Sequence, residues 1–326
     1  VLDRADRMYP PPLNVASDLS REVVDRNGTL LRAYTASNGI WRLPVSLEAV
    51  DPDYINMLIA YEDRRFRSHW GVDPLALVRA AGQLVVNGGR IVSGASTITM
   101  QLARLIEPRS ERSLAAKFRQ MARALQIERR LSKDEILARY LTLAPYGGNL
   151  EGVRAASLAW FGREPKKLSL SQSALLVALP QSPEARRPDR QHAEARLARN
   201  RVLTRMSAAG LIPQSEIDRA SAAKLPGHRL AMPDLAAHTA DLAINAQPEA
   251  NPIRLTLDAG VQQRLEQLAA ESGSRLGPKQ SLAMLLADGR TGEILASVGS
   301  TGHLDTARAG AIDMSRAVRS PGSALK

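Results

Sequence analysis

The sequence predicts a mainly α domain followed by the beginning of an α/β domain. Three observations carry this. Helical periodicity runs from Ser46 to Arg205, residues 1–45 alternate apolar and polar instead, and after Asn251 the text reads strand, helix, hairpin. These give four segments: a β-containing lead-in over 1–45, a helical domain over 46–208, a linker over 209–252, and the first part of another domain over 253–326.

In the lead-in, Pro10–Pro12 is a stiff start. Arg26–Gly28 is a turn signal, and Glu22–Asp25 with Thr29–Tyr34 reads as a hairpin about it. In the helical domain, Tyr54–Arg64 is amphipathic and delivers Glu62 near its C-terminal end. Asp73 and Pro74 start a second helix, because proline at the first helical position loses no hydrogen bond. Asn87–Gly89 breaks it, Ala95–Leu105 restarts it and Pro108 ends it. Ser113–Leu131 and Lys133–Leu143 are long helices, the latter opened by a capping box of Ser132 and Glu135. Ser169–Leu179 stops at Pro180 and Pro183, and Leu197–Ala208 closes the domain. Residues 184–192 and 224–252, rich in Pro, Ala, His and charge, read as linkers. Ile253–Leu257 is a strand and Ala259–Ala270 a helix, while Ser281–Leu286 and Ile294–Val298 form a hairpin about Asp288–Gly292.

The chain has 326 residues, enough for two domains with cores of their own, and 44% hydrophobic content suits a folded chain. Aromatics make up only 4%, so the core rests on Leu, Val, Ile and Ala. With no cysteine, disulfides and thiolate metal sites are excluded. A net charge of +11 implies an anionic partner: nucleic acid, an anionic membrane surface or a phosphorylated substrate. No zinc spacing, aromatic-rich sheet motif or basic heptad helix supports nucleic acid. No run of eighteen apolar residues and no signal peptide are present, yet the chain opens on Val1 and reads as a fragment.

Two stretches carry chemistry. Glu62–Gly71, EDRRFRSHWG, packs two adjacent carboxylates, three arginines and a histidine into one short segment. A carboxylate beside arginines suits proton transfer next to an anionic substrate; the plain alternative is a solvated helix end with ion pairs. Ser93–Gln101, SGASTITMQ, is a run of small and hydroxyl residues ending in an amide. Further blocks follow in order: KFRQMARALQIE from Lys117, SKDEILARYL from Ser132, YGGNLEG from Tyr146, AASLAWFG from Ala155 and ALLVALPQSP from Ala174.

Together these blocks, over roughly 60 to 205, resemble the peptidoglycan glycosyltransferases of class A penicillin-binding proteins. The spellings SGASTITMQ, APYGGNLEG and LPQSPEARRPDR are most similar to the 1C-type branch. The resemblance implies a lysozyme-like fold that polymerises lipid II into glycan strands with release of undecaprenyl diphosphate. It puts Glu62 as general base, because an alcohol is a poor nucleophile. Asp63 is then its neighbour, with His69 and Phe66 shaping the wall; for His69 a satisfied buried histidine remains open. Ser96, Thr97, Thr99 and Gln101 resemble a donor-site loop that contacts sugar and phosphate, or are plain helix caps. Arg104, Arg112, Lys117 and Arg119 fall on family positions that stabilise the leaving diphosphate, where charge matters more than a proton; otherwise they are a solvated basic face.

This chain departs from the broad family at three positions. Gln120, assigned to substrate binding, stands where a second glutamate is usual, and an amide transfers no proton. The 1C-type members share that substitution, so it does not imply inactivity. Thr142 replaces an Asn and Gln172 a glutamate. The resemblance requires no cofactor or metal site and is compatible with a divalent cation. It implies a membrane surface as partner and a single span upstream, anchoring periplasmic catalytic domains to a bacterial inner membrane.

Ser323-Ala324-Leu325-Lys326 is a Ser-x-x-Lys, whose spacing on a helix lets the amine assist deprotonation of the hydroxyl. After Arg319–Gly322 it resembles the start of a penicillin-binding transpeptidase, a serine β-lactamase-like α/β domain left incomplete here. β-Lactam binding is then expected at the complete site only, with Ser323 and Lys326 catalytic. A second match, Ser221–Lys224, reads as chance. Two other readings stand beside glycosyl transfer. One is a glycan-cleaving hydrolase with Glu62 as acid, disfavoured by Gln120 and the cationic set; the other is a non-catalytic cell-wall scaffold.

Overall fold

The computed structural model describes residues 6–13, 18–86, 96–108, 113–318 and 320. It divides into two compact units, one of residues 1–20 with 35–230 and one of residues 21–34 with 231–326. The first is mainly helical. Its helices are α1 (Pro52–Glu62), α2 (Pro74–Val86), α3 (Ile98–Ile106), α4 (Leu114–Glu128) and α5 (Lys133–Leu143). After them come α6 (Val153–Phe161), α7 (Leu170–Ala178), α8 (His192–Ala208) and α9 (Gln214–Ala222).

Side-chain caps start six of these helices; α6, α8 and α9 have none. Asp51 opens α1 by accepting the backbone N–H groups of Asp53 at 2.9 Å and Tyr54 at 3.4 Å, with Pro52 in the first turn. Asp73 caps α2 through the Ala76 N–H. Thr97 caps α3 and Ser113 caps α4. The capping box of Ser132 and Glu135 opens α5 as the sequence predicts. A second box, Ser169 with Gln172, opens α7. This box accounts for Gln172, because Gln and Glu serve a capping box equally well.

Two packed sets of helices form the core of this unit. In one, α3 packs against α4 and α5; in the other, α7 packs against α1 and α8. Leu58, Ile98, Leu102, Ile127, Leu137, Leu141, Leu175, Leu176 and Leu203 are buried where they meet. Full burial of each such side chain contributes about 1.5–3 kcal/mol. Two glycines permit close approach. Gly71, at φ +81°, would place a Cβ 2.7 Å from the Ala124 carbonyl oxygen of α4. Gly152, at φ +85°, would place one 2.6 Å from that of Thr142. The short strand β3 (Trp41–Arg42) pairs in parallel with β4 (Leu150–Glu151), and the buried Arg42 guanidinium meets Glu151 at 2.6 Å.

In the second unit, β1 (Arg21–Val24) and β2 (Leu30–Tyr34) form the hairpin the sequence predicts. Asp25 accepts the N–H groups of Asn27 and Thr29 across its turn, each at 2.8 Å. The pair belongs with the later residues, because β1 also pairs in parallel with β5 (Ile253–Arg254), giving the order β2-β1-β5. The helix α10 (Ala237–Ala246) packs on this sheet through Val23, Leu31, Ala240 and Ala243. The helix α11 (Ala259–Arg275) packs on β7 (Ile294–Val298), which pairs antiparallel with β6 (Met284–Ala287).

The segment read as a linker over 209–252 is therefore ordered. It contains α9, packed on α7 and α8 in the first unit, and α10 in the second. Its alanines are buried against neighbours, Ala220 and Ala240 among them, which local polarity does not disclose. The 1–45 lead-in is likewise divided between the two units, because its hairpin finds β5.

Candidate active site

Glu62 is the last residue of α1 and is half-buried. Its two carboxylate oxygens each accept one side-chain amide. Gln101 Nε2, from α3, donates to Oε2 at 2.8 Å. Gln181 Nε2, from the 3-10 turn Leu179–Gln181 after α7, donates to Oε1 at 2.6 Å. Each amide is fixed from behind by a donor to its own carbonyl oxygen. Tyr140 of α5 donates its hydroxyl to Gln101 Oε1 at 3.2 Å. Arg186 Nη1 donates to Gln181 Oε1 at 3.0 Å and to the Ala178 carbonyl at 2.6 Å.

Below the carboxylate lie three buried tyrosines, with Tyr54 and Tyr146 sharing a hydrogen bond at 2.9 Å between hydroxyls. Burial, then the Glu62 charge, then Tyr54 push the Tyr140 phenol well above its ordinary value. It therefore remains a neutral donor to Gln101. Burial first, with a contribution from Glu62, also raises Tyr54. Burial and then Arg201 hold the Arg186 guanidinium below its ordinary value, opposed by Tyr61, Glu62 and Glu194. Arg205 of α8 covers the Tyr61 ring at 4.8 Å.

The remainder of EDRRFRSHWG folds inward at every third residue. Asp63, Phe66 and His69 are buried, with the 3-10 turn Phe66–Ser68 giving that spacing. His69 Nε2 meets both Asp63 oxygens, at 3.0 and 2.9 Å. Asp63 Oδ2 also accepts the Ile98 N–H at 3.0 Å, tying the end of α1 to the start of α3. We read Asp63 and His69 as supports for the site, because both are buried and bonded to each other; His69 Nδ1 is buried as well and has no hydrogen-bond partner among the described residues. Two of the motif's arginines are committed as well: Arg65 pairs with Asp73, and Arg67 pairs with Asp134 at 2.5 Å.

The hydroxyl run divides in the same way. Thr97 donates to the Gly71 carbonyl at 2.5 Å and caps Met100. Thr99 donates to Glu128 at 2.6 Å, and Lys133 meets the same carboxylate oxygen at 2.6 Å. Both threonines are buried, so the capping and packing alternative describes them rather than ligand contact. Gln101 faces Glu62, while Ser96 accepts a hydrogen bond from Lys117 Nζ of α4. Burial, then the neighbouring Arg104 charge, lowers the Lys117 ammonium from its ordinary 10.5. Arg104 and Arg119 are exposed, and Gln120 is half-buried one turn after Lys117 on α4. Arg112, Ser323 and Lys326 lie outside the described residues. Among the described residues no group of His, Asp and Glu is arranged to hold a metal ion.

Sequence reasoning missed Gln181 and Arg186. Gln181 was within the ALLVALPQSP block, where Pro180 and Pro183 read only as helix stops. An amide between two prolines was the available signal.

The transglycosylase family model matches residues 27–207. Among curated relatives, penicillin-binding protein 1C of Escherichia coli is 43% identical over 99% of this chain and 41% of its own length. Penicillin-binding protein 1A of the same organism is 36% identical over 63% of this chain and 24% of its own. Penicillin-binding protein 1F of Bacillus subtilis is 28% identical over 94% and 44%. The chain thus spans less than half the length of these relatives. The matched segment holds Glu62, both amides and Lys117, and more than half of the chain lies within it. The chain belongs to the transglycosylase family.

Proposed function

We propose that this chain is the glycosyl-transferring part of a penicillin-binding protein that polymerises lipid II into peptidoglycan strands. The observation that carries the reading is the Glu62 carboxylate, half-buried and held by one amide on each oxygen. Glu62 takes the proton of the acceptor sugar 4-hydroxyl. That oxygen forms a bond to the anomeric carbon of the growing strand as the bond from this carbon to the diphosphate breaks. The electron pair leaves with undecaprenyl diphosphate. A diphosphate departs under charge stabilisation rather than protonation, for which Lys117, Arg104, Arg119 and Arg112 are the proposed donors, with Ser96 and Gln120 beside them.

The relevant location is the outer face of a bacterial inner membrane. Among the described residues no helix is long and apolar enough to cross a membrane, so the surface contact we propose is separate from any span. Ser323 and Lys326 are proposed as the nucleophile and base of a transpeptidase region that takes β-lactams.

The test is incubation of membrane-reconstituted protein with labelled lipid II. Glycan strands should form, and Glu62→Gln should lower the rate on the order of a hundredfold or more. Cleavage of preformed strands with no polymerisation would favour the hydrolase instead. Binding of a phosphoglycolipid donor mimic with neither activity would favour a scaffold.

A further inference from the structure

The reading of Glu62 as a base leaves one group of side chains unused. Gln181 and Arg186 sit outside EDRRFRSHWG and SGASTITMQ, on the turn and loop between α7 and α8. A glutamine amide has two chemically different ends, and only its N–H end can donate to a carboxylate. Left free, Gln181 would rotate between presenting N–H and presenting C=O to Glu62. Arg186 removes that choice. Its Nη1 donates to Gln181 Oε1 at 3.0 Å, so the carbonyl end faces the guanidinium and the Nε2 end faces Glu62 at 2.6 Å. Arg186 is itself anchored on the Ala178 carbonyl at 2.6 Å, at the end of α7. The arrangement mirrors the other side, where Tyr140 orients Gln101 for the same task.

We propose that Gln181 is a positioning residue for the Glu62 base, and that Arg186 supports it by fixing which end of its amide faces the carboxylate. The proposal rests on Glu62 being the base. A carboxylate that must meet a hydroxyl proton within hydrogen-bond reach gains from being held on both oxygens. Loss of one holder leaves substrate contacts intact and makes the reactive geometry rarer. The deficit therefore falls on kcat and spares KM.

The test uses the whole chain in a lipid II polymerisation assay with four variants. Gln181→Met keeps length and removes the donor at an exposed position, and a thermal melt checks that the variant is folded. It should lower kcat about tenfold with KM nearly unchanged. Gln181→Lys puts an ammonium on the same carboxylate oxygen and should shift the base limb of the pH–rate profile to lower pH. Arg186→Met should lower kcat by a similar factor. The double variant should lose less than the two single factors multiplied, because residues acting partly in series do not add. Unchanged kcat in Gln181→Met, an unshifted base limb in Gln181→Lys, or fully additive losses in the double variant would each overturn the proposal. Glu62→Gln is the control. If it is inactive while Gln181→Met is unimpaired, only the positioning role fails. If Glu62→Gln turns over normally, the base assignment fails and takes this proposal with it.

Discussion

Asp63 and His69 face each other at 2.9 Å inside the protein, while Glu62, adjacent to Asp63 in the chain, ends at two amides on a half-buried rim. Two neighbouring carboxylates thus do different work. The helix α1 ends at Glu62, and Asp63 leaves it at φ −156° and ψ 73°, which turns successive side chains to opposite sides. Asp63 then joins three pieces: the end of α1, the turn carrying His69 and the first N–H of α3. This is the support that keeps Glu62 and Gln101, one on each helix, within 2.8 Å.

Asp63→Asn should therefore be chiefly a stability variant. It keeps one acceptor for Ile98 and weakens the bond to His69, at a cost of about 1–3 kcal/mol for a buried charge-assisted contact. The measurement is a denaturant or thermal melt alongside donor binding to the folded protein. An unchanged melt with donor affinity lost would return Asp63 to the substrate.

Several helices of the first unit were legible because they carry their own start signal, whereas α6, α8 and α9 have no side-chain cap, and of these only the later part of α8 was read. Asp51, Thr97, Ser132 and Ser169 are all capping residues in the structure. The place of Glu62 at the end of its helix was legible in the periodicity of Tyr54–Arg64. The inward turn of Asp63 was not, since a hydrophilic motif gives no local sign of burial, while for His69 a buried histidine was one of two open readings. Nor was the pairing of β1 with β5, which joins Val23 to Ile253 across most of the chain. Gln181 escaped because its partner is distant in sequence, and periodicity reports only near neighbours.

Lys117 gives a pH prediction. Burial and then Arg104 depress its ammonium below 10.5, while the diphosphate needs it charged. Donor affinity should thus fall with rising pH before an ordinary lysine would titrate. Arg104→Ala removes the second cause and should move that alkaline limb upward. For folding the sign is opposite to that of a stabilising lysine. The penalty on the buried cation is fully present below the lowered value. It is relieved as pH rises through that value toward 10.5. Donor binding followed across alkaline pH in both proteins checks the order. Limbs that coincide would mean Lys117 is not the titrating contact.

Gln120 should have no proton-transfer role. It stands one turn after Lys117 on α4, and diphosphate departure needs charge near that helix rather than an acid. Gln120→Ala should cost less than Glu62→Gln in polymerisation rate. Gln120→Glu should add no new titrating limb to the pH–rate profile. A strong gain in turnover from Gln120→Glu would show that a second carboxylate is wanted there.

The two Ser-x-x-Lys segments differ in a way the structure explains for one of them. Ser-x-x-Lys works when the amine lies one helical turn from the hydroxyl. At Ser221 the helix α9 ends with Ala222, and Ala223 is extended at φ −63° and ψ 138°, so Lys224 leaves the face that carries Ser221. The backbone there is held in that shape by Arg199, whose side chain is fully buried. It donates to the Ser221 and Ala223 carbonyls at 2.5 and 2.7 Å and to Ser171 Oγ at 2.9 Å. A guanidinium that meets four oxygens, these three and Asn200 Oδ1 at 3.0 Å, does not release that segment cheaply. Ser221 should accordingly stay unlabelled by a fluorescent penicillin. A form extended to the full length of its penicillin-binding relatives should be labelled at Ser323, and peptide mapping of the adduct distinguishes the two. The 326 residues alone serve as the comparison form. An adduct on Ser221 in either form would mean that Arg199 does not hold the segment as described.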